Sequence, residues 1–138
     1  MDVEHFKGIT GIKKLFEMTL ENEEKVLRTI LIGPPLVYLA GEEFSETYMS
    51  NRKKHNIFLK SLRTSSENLD FPQHKDYANR NKEVRFTPKG TTFDYSLVIW
   101  DDYVAVVDSK KISGVIIKNK ENANIMKKLF EHLWEHSE

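Results

Sequence analysis

The chain has 138 residues, a formal net charge of zero and no cysteine. Its length fits a single domain with its own hydrophobic core, so we treat residues 1–138 as one domain. The balanced charge lacks the basic excess that nucleic-acid binders use to contact phosphate. The absence of cysteine excludes disulfides, thiol nucleophiles and cysteine-ligated metal sites. The apolar runs are shorter than the roughly 20 residues of a membrane span and no secretory signal is visible, so we expect a cytoplasmic protein.

The first half of the chain alternates apolar strand patterns with amphipathic helix patterns. Thr10 is a candidate N-cap for the first helix, and Asn56 is a candidate stop for the second. The turn Gly33-Pro34-Pro35 ends the apolar second strand sharply. The predicted elements are strands at residues 3–7, 26–32 and 57–63 and helices at residues 10–24 and 42–55.

The second half predicts strand hairpins followed by a long helix. Residues 65–82 are polar and too many for a plain connection, so we expect a short helix near residues 75–81 or a functional loop. Asp101-Asp102 forms the turn between two strands, and Asn119 is a candidate cap for the final helix. The predicted strands cover residues 83–87, 91–100, 103–108 and 113–118.

The predicted order of elements is β-α-β-α-β-loop-β-β-β-β-α, which belongs to the α/β fold class. Strand–helix–strand units favour parallel pairing, and the later hairpins add antiparallel strands. We therefore expect a mixed, mostly parallel sheet with an antiparallel hairpin and with helices on both faces. No internal repeat or linker divides the chain.

Three segments of the sequence resemble the C-terminal effector domain of TrmB-type transcription regulators. They are a strand–glycine–helix opening at residues 6–16, the strand sequence EVRFTP at residues 83–88, and the hairpin, strand and final helix of residues 96–134. The resemblance covers nearly the whole chain in the same order. It implies a phospholipase D-like fold used for sensing and for dimerisation, and the effector of the sugar-responsive members is a sugar.

The same family usually places a winged helix-turn-helix before this domain. No such segment precedes residue 1 here, so the chain is either an excised domain or a free-standing relative. We expect a homodimer that senses a sugar-like effector and meets DNA only through a separate or missing helix-turn-helix domain. Membrane association is not expected.

Phospholipase D-type enzymes carry a His-x-Lys-x4-Asp motif on the hairpin strand, where His attacks phosphorus and Lys holds the phosphate. The motif's Asp matches one of the two residues of the 101–102 turn. The His and Lys positions are then occupied by Asp94 and Ser96, or by Tyr95 and Leu97. Neither alignment keeps the nucleophile or the cation. We expect a non-catalytic regulatory domain, and a divergent phosphodiesterase or nuclease is the alternative.

Other chemical signals in the sequence are weak. His132 and His136 lie one turn apart on the final helix without an evident third ligand, so a solvated helix face is favoured over a metal site. No metal and no cofactor are expected. Trp100 is a candidate for stacking on a sugar and Trp134 for a dimer contact, and core packing is the favoured alternative for both.

Candidate ligand-binding residues lie where the predicted strands end, because ligands collect at the carboxyl ends of parallel strands. Hydroxyl and carboxylate groups there suit a ligand that carries hydroxyls. Arg85 lies in the middle of a strand and is a candidate for gripping an anion, with an ordinary salt bridge as the favoured alternative. The candidate set is Gly33, Thr64, Ser65, Arg85, Asp94 and Ser96.

Overall fold

One seven-stranded sheet organises the computed structural model, which describes residues 1–64 and 81–138. The strands are β1 (Asp2–Lys7), β2 (Val26–Leu31), β3 (Phe58–Arg63), β4 (Lys82–Phe86), β5 (Ser96–Trp100), β6 (Tyr103–Asp108) and β7 (Ser113–Lys118). The helices are α1 (Gly8–Thr19), α2 (Glu42–Lys54) and α3 (Lys120–Glu135), with a short 3-10 helix at Leu36–Ala40.

The sheet has the strand order β1-β7-β6-β5-β2-β3-β4. The predicted mixed sheet with helices on both faces is confirmed, but the prediction that the sheet is mostly parallel is wrong. Among the described strands, only the β2–β3 and β3–β4 pairings are parallel, and the other four are antiparallel. The tight turns on either side of β6 force its neighbours to run against it, and β5 then runs against β2.

Side chains that alternate along each strand divide the core into two parts. One face of the sheet packs against α1, the 3-10 helix and α2, and we call it the α2 face. The opposite face packs against α3, and we call it the α3 face. The largest buried side chain, that of Trp100, lies on the α2 face, whereas Phe130 and Trp134 of α3 fill the core of the α3 face.

Several predicted element ends are confirmed. Asn119 caps α3, because its Oδ1 accepts a hydrogen bond from the backbone N–H of Asn122 at 2.8 Å. Asn56 follows α2 with a φ of 57°, in the left-handed region that Asn tolerates and that suits the end of a helix. Asp101, with a φ of 45°, turns the chain between β5 and β6.

Other predicted ends are wrong. The first helix begins at Gly8 with Lys7 as its N-cap, and it ends at Thr19 rather than near residue 24. Thr10 therefore lies inside the helix. The helix starts early because Gly11 lets it approach β1: a Cβ at Gly11 would lie 2.7 Å from Cδ1 of Phe6. The long strand predicted at 91–100 is reduced to β5, which starts at Ser96.

The short helix predicted near residues 75–81 falls almost entirely outside the described residues. Within the part of the chain that the structure describes, no helix is long and apolar enough to cross a bilayer.

Candidate ligand-binding site

The end of β2 brings together three of the residues that the sequence predicted. The backbone N–H of Thr64 donates to the carbonyl of Leu31 at 3.4 Å. The N–H of Ile32 donates to Oγ of Ser96 at 3.3 Å. Gly33 follows with a φ of 72°. Ser96 is fully buried, and its hydroxyl contributes to the junction between β2 and β5.

The other predicted ligand residues lie elsewhere. Arg85 is on the α3 face, where its Nε pairs with Glu83 at 2.7 Å and its Nη1 donates to the carbonyl of Trp134 at 2.9 Å. Its guanidinium also lies 4.5 Å from the centre of the Trp134 ring, so the salt-bridge alternative describes its contacts. Asp94 is exposed in the segment before β5, and Ser65 lies outside the described residues. Ligand binding by this set stays a prediction.

Both tryptophans are core residues. Trp100 stacks on Tyr103 with ring centres 4.9 Å apart, and Trp134 stacks on Phe130 at 5.8 Å. Each tryptophan is at least nine-tenths buried. Stacking of Trp100 on a sugar and a dimer contact through Trp134 are therefore both excluded by this packing.

A cavity of about 50 Å³ lies between α2 and the parallel part of the sheet. The strand registers arrange the side chains beneath it in rows across the sheet. Thr29 and Ser61 are neighbours in the middle row, and Thr29 Oγ1 donates to Ser61 Oγ at 3.0 Å. The rows on either side carry longer side chains, so these two short ones leave the gap. The apolar walls are formed by Phe16, Leu27, Leu31, Leu36, Val37, Leu59 and Val84.

Three basic side chains also line this cavity. Arg63 ends β3 and is 3% exposed, Lys82 begins β4 and is 8% exposed, and Arg52 reaches down from α2 and is 2% exposed. Arg52 Nη1 donates to the carbonyls of Ile57 and Asn81, both at 2.9 Å. All three also have further interactions with the chain. Among the described lining residues there is no Asp or Glu.

Burial shifts the pKa values of two groups above the cavity, Tyr48 and Arg52. Burial raises the pKa of Tyr48 to about 12, although its hydrogen bond with Thr19 acts in the opposite direction. Thr19 Oγ1 donates to the carbonyl of Phe16 at 2.6 Å, so the Tyr48 hydroxyl is the donor to Thr19. Burial also lowers the pKa of Arg52 from its ordinary value. The protein thus holds a cationic group where the charged form is disfavoured.

On the α3 face, ion pairs link α3 to the sheet. Lys60 and Arg28 both donate to the carboxylate of Glu131, and Lys127 pairs with Glu24 at 2.8 Å. Burial would raise the pKa of Glu131, but its hydrogen bond with Lys60 and the charges of Lys60 and Arg28 outweigh this and hold the pKa below its ordinary value.

The residues that form the cavity were not among the predicted ligand residues. One signal was present: Thr29 and Ser61 are short polar residues within two apolar strands, and the strand register places them side by side. Arg52 lies in the basic last turn of α2, and the packing of this helix directs its side chain into the cavity.

No metal site is evident in residues 1–64 and 81–138, where no group of three His, Asp or Glu side chains is close enough to hold an ion. His132 and His136 have ring centres 4.7 Å apart and are exposed on α3.

No protein-family model matches the sequence, and no curated protein sequence matches it. Solved structures do resemble it. TrmBL2, an archaeal chromatin protein whose structure shows a novel mode of DNA binding, aligns with a TM-score of 0.65 and 22% identity. The alignment covers 100% of this chain and 51% of TrmBL2, so the chain spans about half the length of that protein.

Two further structures are similar over nearly their whole length. Nuc, a phospholipase D family member from Salmonella typhimurium, aligns with a TM-score of 0.69 and 12% identity over 99% of this chain and 96% of its own. NucT from Helicobacter pylori aligns with a TM-score of 0.66 and 10% identity over 99% of this chain and 97% of its own. At these identities the matches establish a phospholipase D-like fold.

Proposed function

We propose that this chain is a non-catalytic regulatory domain of a transcription regulator, which senses an effector and dimerises. The observation that carries the proposal is the start of β5, where the phospholipase D motif requires His and Lys. Asp94 would repel a phosphate, and Ser96 is fully buried against the N–H of Ile32. In the other alignment Tyr95 and Leu97 offer neither a nucleophilic imidazole nor a cation.

Similarity to TrmBL2 supports the regulatory part of the proposal. That protein is a chromatin protein, and the present chain corresponds to about half of it. The balanced charge of the chain argues against extensive contact with phosphates by this domain alone. We therefore assign DNA contact to a separate helix-turn-helix domain, a sugar-like effector as the starting hypothesis for the ligand, and the cytoplasm as the location.

A phosphodiesterase assay tests the absence of catalysis. The purified chain is incubated with bis(p-nitrophenyl) phosphate and with single- and double-stranded DNA. We expect no turnover above that of a heat-denatured sample. Turnover that disappears in Asp94→Ala or Ser96→Ala, but persists in Glu121→Ala at the exposed start of α3, would overturn the proposal.

The alternative function is a divergent phosphodiesterase or nuclease. Its specific support is the similarity to Nuc and NucT over nearly the full length of all three chains. The same assay decides between the two functions, because catalysis at the start of β5 has to depend on the residues there.

Dimerisation has a separate test. Ile125 and Leu129 lie one turn apart on α3 and are 57% and 60% exposed, which is unusual for such large apolar side chains. We expect sedimentation equilibrium to give the mass of a dimer for the native chain and of a monomer for Ile125→Glu/Leu129→Glu. Lys110→Glu, in the exposed turn between β6 and β7, is the control and should stay dimeric. A native chain that sediments as a monomer would contradict this part of the proposal.

A further inference from the structure

The cavity under α2 has a size that limits what it can hold. Its volume is about 50 Å³. A water needs roughly 10–15 Å³ measured in this way, and a cavity of about 150 Å³ accepts benzene. The space therefore suits a molecule of a few heavy atoms. A monosaccharide is larger than benzene and would require α2 to move away from the sheet.

The lining of the cavity indicates the chemistry of such a molecule. Most of the wall is aliphatic or aromatic, which favours an apolar portion in the ligand. The polar groups of the floor are the paired hydroxyls of Thr29 and Ser61. Among the described lining residues the charged groups are all basic, with Arg63 and Lys82 on the sheet and Arg52 on the helix. A carboxylate is the small anion that combines with an apolar chain and matches guanidinium geometry.

The basic side chains do not need to leave their present partners to attract an anion. Arg52 keeps its two backbone acceptors, and Arg63 and Lys82 keep their contacts within the chain. Positive charge held in surroundings of low polarity acts strongly over several ångströms. The lowered pKa of Arg52 reflects the cost of burying this charge, which a nearby carboxylate would offset.

We propose that the cavity between α2 and strands β2–β4 binds a small carboxylate with a short apolar chain, such as acetate or propionate. This inference rests on the proposed sensing function and replaces the sugar-like effector with a different chemical class. The carboxylate faces the basic side chains, and the alkyl group packs against the apolar wall. Because α2 forms the roof, occupancy of the cavity would fix the position of this helix against the sheet.

The test is a titration of the 15N-labelled chain, followed by amide chemical shifts in a buffer without carboxylates. The probes are sodium propionate, its neutral isostere propionamide, and glucose. We expect saturable shifts with propionate, centred on β2, β3 and α2. Propionamide should bind at least about tenfold more weakly, which corresponds to 1.4 kcal/mol. Glucose should produce no saturable shift.

Two variants connect binding to the cavity itself. Ser61→Leu fills the floor of the cavity and should weaken propionate binding at least about tenfold. If the larger leucine destabilises the protein too much, Thr29→Val is the second variant, because valine keeps the shape of threonine. Thr29→Val removes one hydroxyl and should weaken binding by about threefold or more. Lys127→Gln, on α3 at the opposite face of the sheet, is the matched control and should bind propionate as the native chain does.

The inference is overturned by equal binding of propionate and propionamide, by shifts confined to residues outside the cavity, or by an unchanged affinity in both Ser61→Leu and Thr29→Val. Absence of saturable propionate binding would also overturn it. These outcomes are distinct from failure of the proposed function, because phosphodiester turnover depends on the start of β5 and propionate binding on the α2 face.

Discussion

The two faces of the central sheet differ in the side chains that pack against them. On the α3 face, aromatic stacking of Phe130 and Trp134 and the ion pairs of Glu131 fill and close the interface. On the α2 face, Thr29 and Ser61 occupy core positions, and basic side chains surround a cavity. Apolar residues at those two positions would pack more tightly. The α2 face therefore keeps polar groups that stability does not require, and this is where a ligand is expected.

Phe130→Ala should cause the largest loss of stability, because it removes a buried aromatic ring from the core of the α3 face. The ring is 1% exposed and stacks on Trp134. Removing it should lower the free energy of unfolding by about 3–5 kcal/mol, as measured by urea denaturation. Asn124→Ala, at an exposed position of the same helix, should change it by about 0.5 kcal/mol or less. Similar losses in both variants would show that α3 does not close a core.

Thr19→Val tests the polar contacts above the cavity. The Thr19 hydroxyl accepts from Tyr48 and donates to the carbonyl of Phe16. Its removal leaves the buried Tyr48 hydroxyl without this partner, which should cost about 1–3 kcal/mol in urea denaturation. The same substitution at the exposed Thr10 of α1 is the control and should have a much smaller effect. An equal effect at both positions would mean that helix propensity, and not the hydrogen bond, is responsible.

Glu131→Gln tests the ion pairs of the α3 face. At neutral pH the substitution should lower stability by about 1 kcal/mol, a modest value because the carboxylate is partly exposed to solvent. The folded pKa of Glu131 is lowered, so its contribution is complete above the ordinary value of 4.5 and is lost as the pH falls through the folded value. The native chain and the variant should therefore converge in stability on acidification. A difference that persists at low pH would contradict the ion-pair explanation.

The double variant Thr29→Val/Ser61→Ala should have the smallest effect on stability. It removes both partners of a buried hydrogen bond together, which is often nearly neutral, so we expect a change within about 1 kcal/mol in thermal denaturation. Its propionate affinity should nevertheless fall. Destabilisation by several kcal/mol would show that the hydroxyl pair is structural and would remove the contrast between the two faces.

Much of the fold followed from local sequence. Periodicity located every strand and helix of the described residues except the 3-10 helix, and Asn119 and Asp101 acted as the expected cap and turn. The pairing of strands was harder to predict, because whether β2 meets β1 or β5 depends on contacts between distant parts of the chain. The parallel pair β2–β3 was expected, whereas the antiparallel insertion of β5 beside β2 was not.

The candidate site was less predictable than the fold. The predicted strand-end residues Thr64 and Ser96 lie near the end of β2 but are not among the described residues that line the cavity. Nothing in the sequence distinguished an arginine that points inward from one in solvent. Arg52 and Arg85 show the problem. Arg52 belongs to the basic last turn of α2 and lines the cavity, whereas Arg85, for which a salt bridge was favoured over anion binding, pairs with Glu83 and contacts α3.

The pairing of β1 with β7 has a consequence for the way the chain folds. Val3 lies opposite Ile117, so β1 has no partner in this sheet until β7 has been made. The β2–β5 pairing likewise closes a loop of about 70 residues, and such distant contacts slow folding. The β5–β6 and β6–β7 pairs, by contrast, join successive strands through short turns, and such local contacts form quickly. We expect these hairpins to form early, and β1 to join the sheet in a late step after β7 is in place.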